Sequence, residues 1–185
     1  QLVAGGTEGA YSLAEAHYRT ATNMTDRMAA LAALVHANAP VAQALLGDFR
    51  TLYTADPLVL DKWLSLSAQV PDEATLDRVK AILADPSFPR NNPNRLRSLV
   101  GSFANANPVQ FARPDGSGFR FVTEFVADVD KRNPQVAARV LTAFRIWRNY
   151  EPTRRAEAES ALKSLAESGS LSRNTADILG RTLAG

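Results

Sequence analysis

Apolar residues recur along this chain at helical spacing, in blocks that are each closed by a proline or a polar turn. Met28, Leu31, Leu34 and Val35 form one stripe, Val41, Leu45, Phe49 and Leu52 the next, and Leu60, Trp63 and Leu64 a third. Leu76, Val79 and Leu83 follow, then Leu96, Leu99, Val100 and Phe103, then Phe119, Val122, Phe125, Val126 and Val129, then Val136, Val140, Ala143, Phe144 and Trp147. Spacings of three and four put each set on one face of a helix. The pattern predicts helices over 10–21, 24–37, 41–53, from 57, from 72, from 93, from 119, from 134, over 153–167 and over 172–183, with one short turn of helix at Asn107-Pro108. Asn23 or Thr25 is positioned to cap the second, and Asn38-Ala39-Pro40 to end it. Asp85-Pro86 and Pro89 stop another, and Pro114-Asp115-Gly116-Ser117-Gly118 reads as a tight loop with Ser117 as cap. No stretch alternates with the period of two that a half-buried strand requires.

Helix openings repeat. Asp56-Pro57, Asn92-Pro93 and Asn133-Pro134 each pair a side chain that can accept from an orphan first-turn N–H with a proline that needs no N–H partner. Pro93 lies 36 residues after Pro57, and Pro134 a further 41 on. That is the period of two-helix solenoid repeats. Short links favour antiparallel neighbours, so the chain reads as all-α: a superhelical array of antiparallel helix pairs of the HEAT/armadillo type, with about ten helices and a concave surface. Residues 1–9 are glycine-rich and unpatterned, and read as a loose N-terminal segment where the chain is cut from something longer; 10–185 reads as one domain.

Composition narrows the function. A 185-residue chain that is 45% hydrophobic can bury one core. Zero cysteines exclude disulfides and thiolate zinc sites and favour a reducing, cytoplasmic setting. No apolar run is long enough for a membrane span, so no membrane partner is expected. The net charge of +2 and pI near 9.2 fall short of the concentrated field of a nucleic-acid binder, and no nucleic-acid partner is expected. Only His17 and His36 could serve as histidine ligands, without an H-E-x-x-H pair, and this excludes a catalytic zinc set in this chain. Gly116-Ser117-Gly118 follows a turn rather than a strand, so it is neither a nucleophile elbow nor a phosphate loop. Catalytic residues, metal ligands and cofactor-binding residues are accordingly not assigned. The densest basic cluster, Arg145, Arg148, Arg154 and Arg155, reads as a solvated helix end, with Arg148 suited to complement a helix C-terminus.

Three polar residues differ from that background. Arg97 shares a helix flank with Asn94 and Gly101, while Gln135, Arg139 and Thr142 align at i, i+4 and i+7 beside the next stripe. Arg97, Gln135 and Arg139 thus follow two helix openings of one type and can face a common surface, where guanidinium groups suit carboxylates. Ion pairing with an Asp or Glu of a neighbouring repeat is the alternative.

Five strings carry a family resemblance: Asn23-Met24-Thr25-Asp26-Arg27, Val59-Leu60-Asp61-Lys62-Trp63, Asn92 to Leu99, Asp115-Gly116-Ser117-Gly118, and Arg132 to Arg139. Together they resemble the C-terminal helical domain of bacterial aminopeptidase N enzymes, of the M1 family of zinc metalloaminopeptidases. The resemblance runs from about Asn23 to the end. It implies a superhelix packed over a thermolysin-like catalytic domain that holds the zinc, so that the cofactor belongs to a part of the polypeptide outside this chain. It also implies that Arg97, Gln135 and Arg139 face the internal chamber through which peptides pass. The expected partners are then the N-terminal and catalytic domains of the same polypeptide and peptide substrates, in a monomer that is inactive as this chain alone. A free-standing α-solenoid that binds a protein or peptide in its groove is the other reading.

Overall fold

Asx–proline pairs start four helices of the computed structural model, which describes residues 3–169 and 171–184. Asp56 accepts from the N–H groups of Leu58 (2.9 Å) and Val59 (3.3 Å), Asn92 from Asn94 (2.9 Å) and Arg95 (3.4 Å), Asn107 from Gln110 (3.2 Å) and Asn133 from Val136 (3.1 Å). Asn23, rather than Thr25, caps the helix after it by accepting from Asp26 N–H.

The elements are α1 (Glu8–Thr20), α2 (Met24–His36), α3 (Ala42–Leu52), α4 (Pro57–Ser67) and α5 (Thr75–Ala84). Next comes one continuous helical rod made of α6 (Pro93–Leu96), a π-helical turn (Arg97–Gly101) and α7 (Ser102–Ala106). The short α8 (Pro108–Phe111) leads to α9 (Ser117–Asp130) and α10 (Pro134–Leu141). The latter tightens into a 3₁₀ segment (Thr142–Asn149) before α11 (Pro152–Glu167) and α12 (Arg173–Ala184). No strand occurs among the described residues. Of the segment 1–9, residues 1 and 2 lie outside the described residues, and Val3–Gly5 form a single 3₁₀ turn with Val3 against the core.

Consecutive helices pack as pairs: α1 on α2, α3 on α4, α5 on the 93–106 rod, α9 on α10 and α11 on α12. The second members also pack in series, α2 on α4, α4 on the rod, the rod on α10 and α10 on α12. Each repeat therefore buries its stripe against its neighbours, which is why the apolar blocks recur at a regular period. The resulting core is continuous from Ala14 to Leu179.

Two details differ from the sequence-based expectation. Ser117 does not cap α9. Asp115 accepts from both the N–H (2.9 Å) and the hydroxyl (2.7 Å) of Ser117, and this Asx turn, with Gly116 in the left-handed region at φ 69°, orders the entry. The helix opened by Asn133 is also not α-helical to Trp147. From Thr142 the pitch tightens, because Phe144 and Trp147, three residues apart, are both drawn into the core, and residues at i and i+3 eclipse in a 3₁₀ helix. Phe144 sits among Phe111 (5.1 Å between ring centroids) and Phe119 (5.6 Å).

Candidate functional site, a basic groove

Between the 93–106 rod and the α10–3₁₀ helix lies a groove of about 610 Å³. Its rod wall is Arg97, Gly101, Ser102, Asn105 and Ala106, and its other wall is Arg139, Val140, Thr142 and Arg145. Two sequence-selected residues, Arg97 and Arg139, thus meet from adjacent repeats. Gln135 is exposed at the start of α10 and does not line the groove.

The charge is uncompensated. Arg97 donates to Asn94 Oδ1 on its own helix, and among the described residues no carboxylate lies within ion-pairing distance of Arg97, Arg139 or Arg145. The inter-repeat ion pair that was the alternative for Arg97 is made by Arg95, two residues earlier, instead. Arg95 is buried and donates to Asp61 Oδ1 and to the Pro57 carbonyl, both at 2.6 Å, tying the rod to α4. A guanidinium stays charged at any pH in the working range, so three of them give the groove a fixed positive field. Ser102, Asn105 and Thr142 add polar side chains. The Asn105 amide is held by the Gly101 carbonyl (3.0 Å), the Thr142 hydroxyl by the Arg139 carbonyl (2.6 Å), and Ser102 shares a 2.6 Å hydroxyl contact with Ser65.

Arg145 is the residue that the sequence-based reading placed elsewhere. The basic cluster to which it was assigned is dispersed by the fold. Arg148 donates to the Thr182 (2.7 Å) and Leu183 (2.5 Å) carbonyls, complementing the C-terminus of α12 as expected, and Arg154 donates to the Ala112 carbonyl (2.6 Å) and pairs with Glu151. No local signal separated Arg145 from that cluster, because the Phe144/Trp147 spacing of three fits α-helical and 3₁₀ geometry alike.

Nothing in the groove is a nucleophile–base pair or a metal set. His36 Nε2 lies 2.8 Å from Gln69 Oε1, His17 is exposed on α1, and the described residues contain no group of three His, Asp or Glu side chains that could hold a metal ion. Among the described residues, no helix is long and apolar enough to cross a membrane. What the arrangement can do is bind an anion.

The family described as "Domain of unknown function (DUF3458_C) ARM repeats" matches residues 1–184. The chain belongs to this ARM-repeat family. Curated relatives place the ARM-repeat domain in aminopeptidase N. The Haemophilus influenzae aminopeptidase N is 40% identical over 163 residues, covering 88% of this chain and 19% of the relative, and the Escherichia coli aminopeptidase N is 39% identical over 164 residues, covering 89% and 19%. The crystal structure of Legionella pneumophila aminopeptidase A in complex with aspartic acid superposes with a TM-score of 0.84 at 28% identity, over 96% of this chain and 21% of that one. The resemblance read from the five strings, to the C-terminal domain of aminopeptidase N, is shown by these matches. The ARM-repeat chain spans about a fifth of the length of the curated relatives.

Proposed function

We propose that this ARM-repeat chain is the non-catalytic C-terminal domain of a cytoplasmic zinc aminopeptidase that removes N-terminal residues from peptides. In this reading it caps the active-site chamber, and the groove receives the part of the peptide distal to the scissile bond. The observation that carries the proposal is the meeting of Arg97 and Arg139 in one groove without a carboxylate partner. Charges left unpaired on a folded surface are available to a ligand, and a peptide's C-terminal carboxylate or acidic side chains are the matching chemistry.

Among the described residues no group of three His, Asp or Glu side chains fits a zinc site, and in this reading the metal and the bond-breaking step belong to the rest of the polypeptide. The contribution of the groove is to binding. A contact made far from the reacting bond changes little as that bond breaks, so it is shared by the ground and transition states and acts on KM. The test uses the whole polypeptide: Arg97→Ala and Arg139→Ala are compared with wild type on a tetrapeptide and on a single-residue anilide, which is too short to reach the groove. Each variant should raise KM for the tetrapeptide about fivefold, the equivalent of about 1 kcal/mol for a partly solvated charge-assisted contact, with the anilide unchanged. Equal losses on both substrates, or none on either, would refute the proposed role of the groove.

A further inference from the structure

Arg145 reaches the groove through a change of helix type. At about 100° per residue, unbroken α geometry would place Arg145 about 120° around the helix from Arg139. Tightening to about 120° per residue from Thr142 reduces that to about 60°, because Thr142 and Arg145 then eclipse. Arg139, Thr142 and Arg145 accordingly share one wall. Facing them, Arg97 and Gly101 bound the π-helical turn of the rod. Two departures from α geometry therefore meet at the same groove, and π-helical turns inside a helix often mark functional sites.

Three fixed positive charges and no carboxylate exceed what one carboxylate neutralises. The groove volume of about 610 Å³ is that of a site for an organic ligand rather than a lone inorganic anion. Its lining comes from helix bodies rather than the helix N-termini that commonly cradle phosphate, and Gly101, Ala106 and Val140 leave room for carbon atoms between the charges. We propose that the groove is a dicarboxylate site that selects peptides ending in Asp or Glu, with Arg97 and Arg139 on one carboxylate and Arg145 on the other. This deepens, and rests on, the reading of the groove as the distal peptide subsite.

Calorimetric titration of this chain with acetyl-Ala-Ala-Asp, acetyl-Ala-Ala-Ala and inorganic phosphate tests it, using wild type, Arg145→Gln and Arg145→Lys, each checked for fold by circular dichroism. Wild type should bind the Asp-terminated peptide about tenfold more tightly than the Ala-terminated one, the worth of one charge-assisted contact. Arg145→Gln should abolish that difference while leaving the Ala-terminated peptide within about twofold, and Arg145→Lys should restore part of it. Equal affinity of wild type for the two peptides, equal weakening of both by Arg145→Gln, or phosphate binding as tight as the Asp-terminated peptide would overturn the proposal. The same pair of peptides with free N-termini, given to the whole polypeptide, separates the two readings. A KM effect of Arg97→Ala with no preference for the acidic end refutes the dicarboxylate site while keeping the subsite, whereas no KM effect of Arg97→Ala removes both.

Discussion

Replacing Asp130 with alanine should destabilise the last repeat more than any surface substitution. Asp130 ends α9, is only 4% exposed, and holds the start of α12 across the core. Its carboxylate accepts from Ser172 N–H at 2.6 Å, Ser172 Oγ at 2.7 Å and Thr175 Oγ1 at 2.5 Å, and among the described residues no cationic side chain lies within ion-pairing distance of it. Burial pushes this carboxyl up, but the Ser172 N–H, the Thr175 hydroxyl and the Ser172 hydroxyl together hold it below the usual carboxylate range. Hydrogen bonds to a charged acceptor are worth about 1.5–3 kcal/mol each. In Asp130→Ala the two hydroxyls, 3.1 Å apart, can still bond to each other, the burial cost of the charge vanishes, and one N–H is left without its acceptor. The net loss should be about 2–4 kcal/mol. At about 2–4 °C per kcal/mol for a chain of this size, Tm should fall by roughly 4–16 °C. Because the folded carboxyl titrates below its unfolded value of about 3.9, the stabilisation is fully present above about pH 4 and is lost as pH falls through the lower folded value. Thermal and urea unfolding followed by circular dichroism, at pH 7 and in steps below pH 4, reads both effects. A variant within about 0.5 kcal/mol of wild type at pH 7, or a gap that widens on acidification, would refute the reasoning.

Gly118→Ala should cost at least about 3 kcal/mol, since an added Cβ would lie 2.3 Å from both the Gln110 and Phe111 carbonyl oxygens, backbone atoms that cannot swing aside; a Tm within 2 °C or so of wild type would contradict this close approach of α9 to α8. Asn107→Ala should cost about 2–3 kcal/mol, because its buried amide donates to the Ala68 (3.0 Å) and Val70 (2.9 Å) carbonyls; unchanged urea unfolding would mean that those carbonyls find other donors. Dialysis followed by metal analysis should find no stoichiometric zinc on this chain, and one tightly held zinc with chelator-sensitive peptidase activity would overturn the assignment of the chemistry to the rest of the polypeptide.

Local chemistry was readable from the sequence where tertiary chemistry was not. Asx–proline openings and apolar stripes act within one helix, so Asp56, Asn92, Asn107 and Asn133 announced their helices, and the repeat period announced the solenoid. Glu151, whose carboxylate accepts from the N–H groups of Thr153 and Arg154 ahead of Pro152, was missed because glutamate is an unusual cap. Helix-face reasoning put Arg97 on the flank beside the apolar stripe, and the fold leaves it exposed at the groove, while Arg95, two residues earlier, is buried on Asp61. Arg145 was illegible for a definite reason. Its direction depends on a switch of pitch caused by Phe144 and Trp147 entering a core built from other repeats, and helical periodicity assumes a constant pitch. Gln135 shows the converse. Its i, i+4 relation to Arg139 holds along the helix, yet the groove begins one turn later, where the rod approaches.

The central claim is that Arg97 and Arg139 meet the distal end of a peptide inside a chamber. A crystal structure of the whole polypeptide with a non-hydrolysable tetrapeptide bound tests it most directly. The account predicts the C-terminal carboxylate within hydrogen-bonding distance of the Arg97 or Arg139 guanidinium. A groove open to bulk solvent on the outer surface, with the tetrapeptide ending elsewhere, would contradict it.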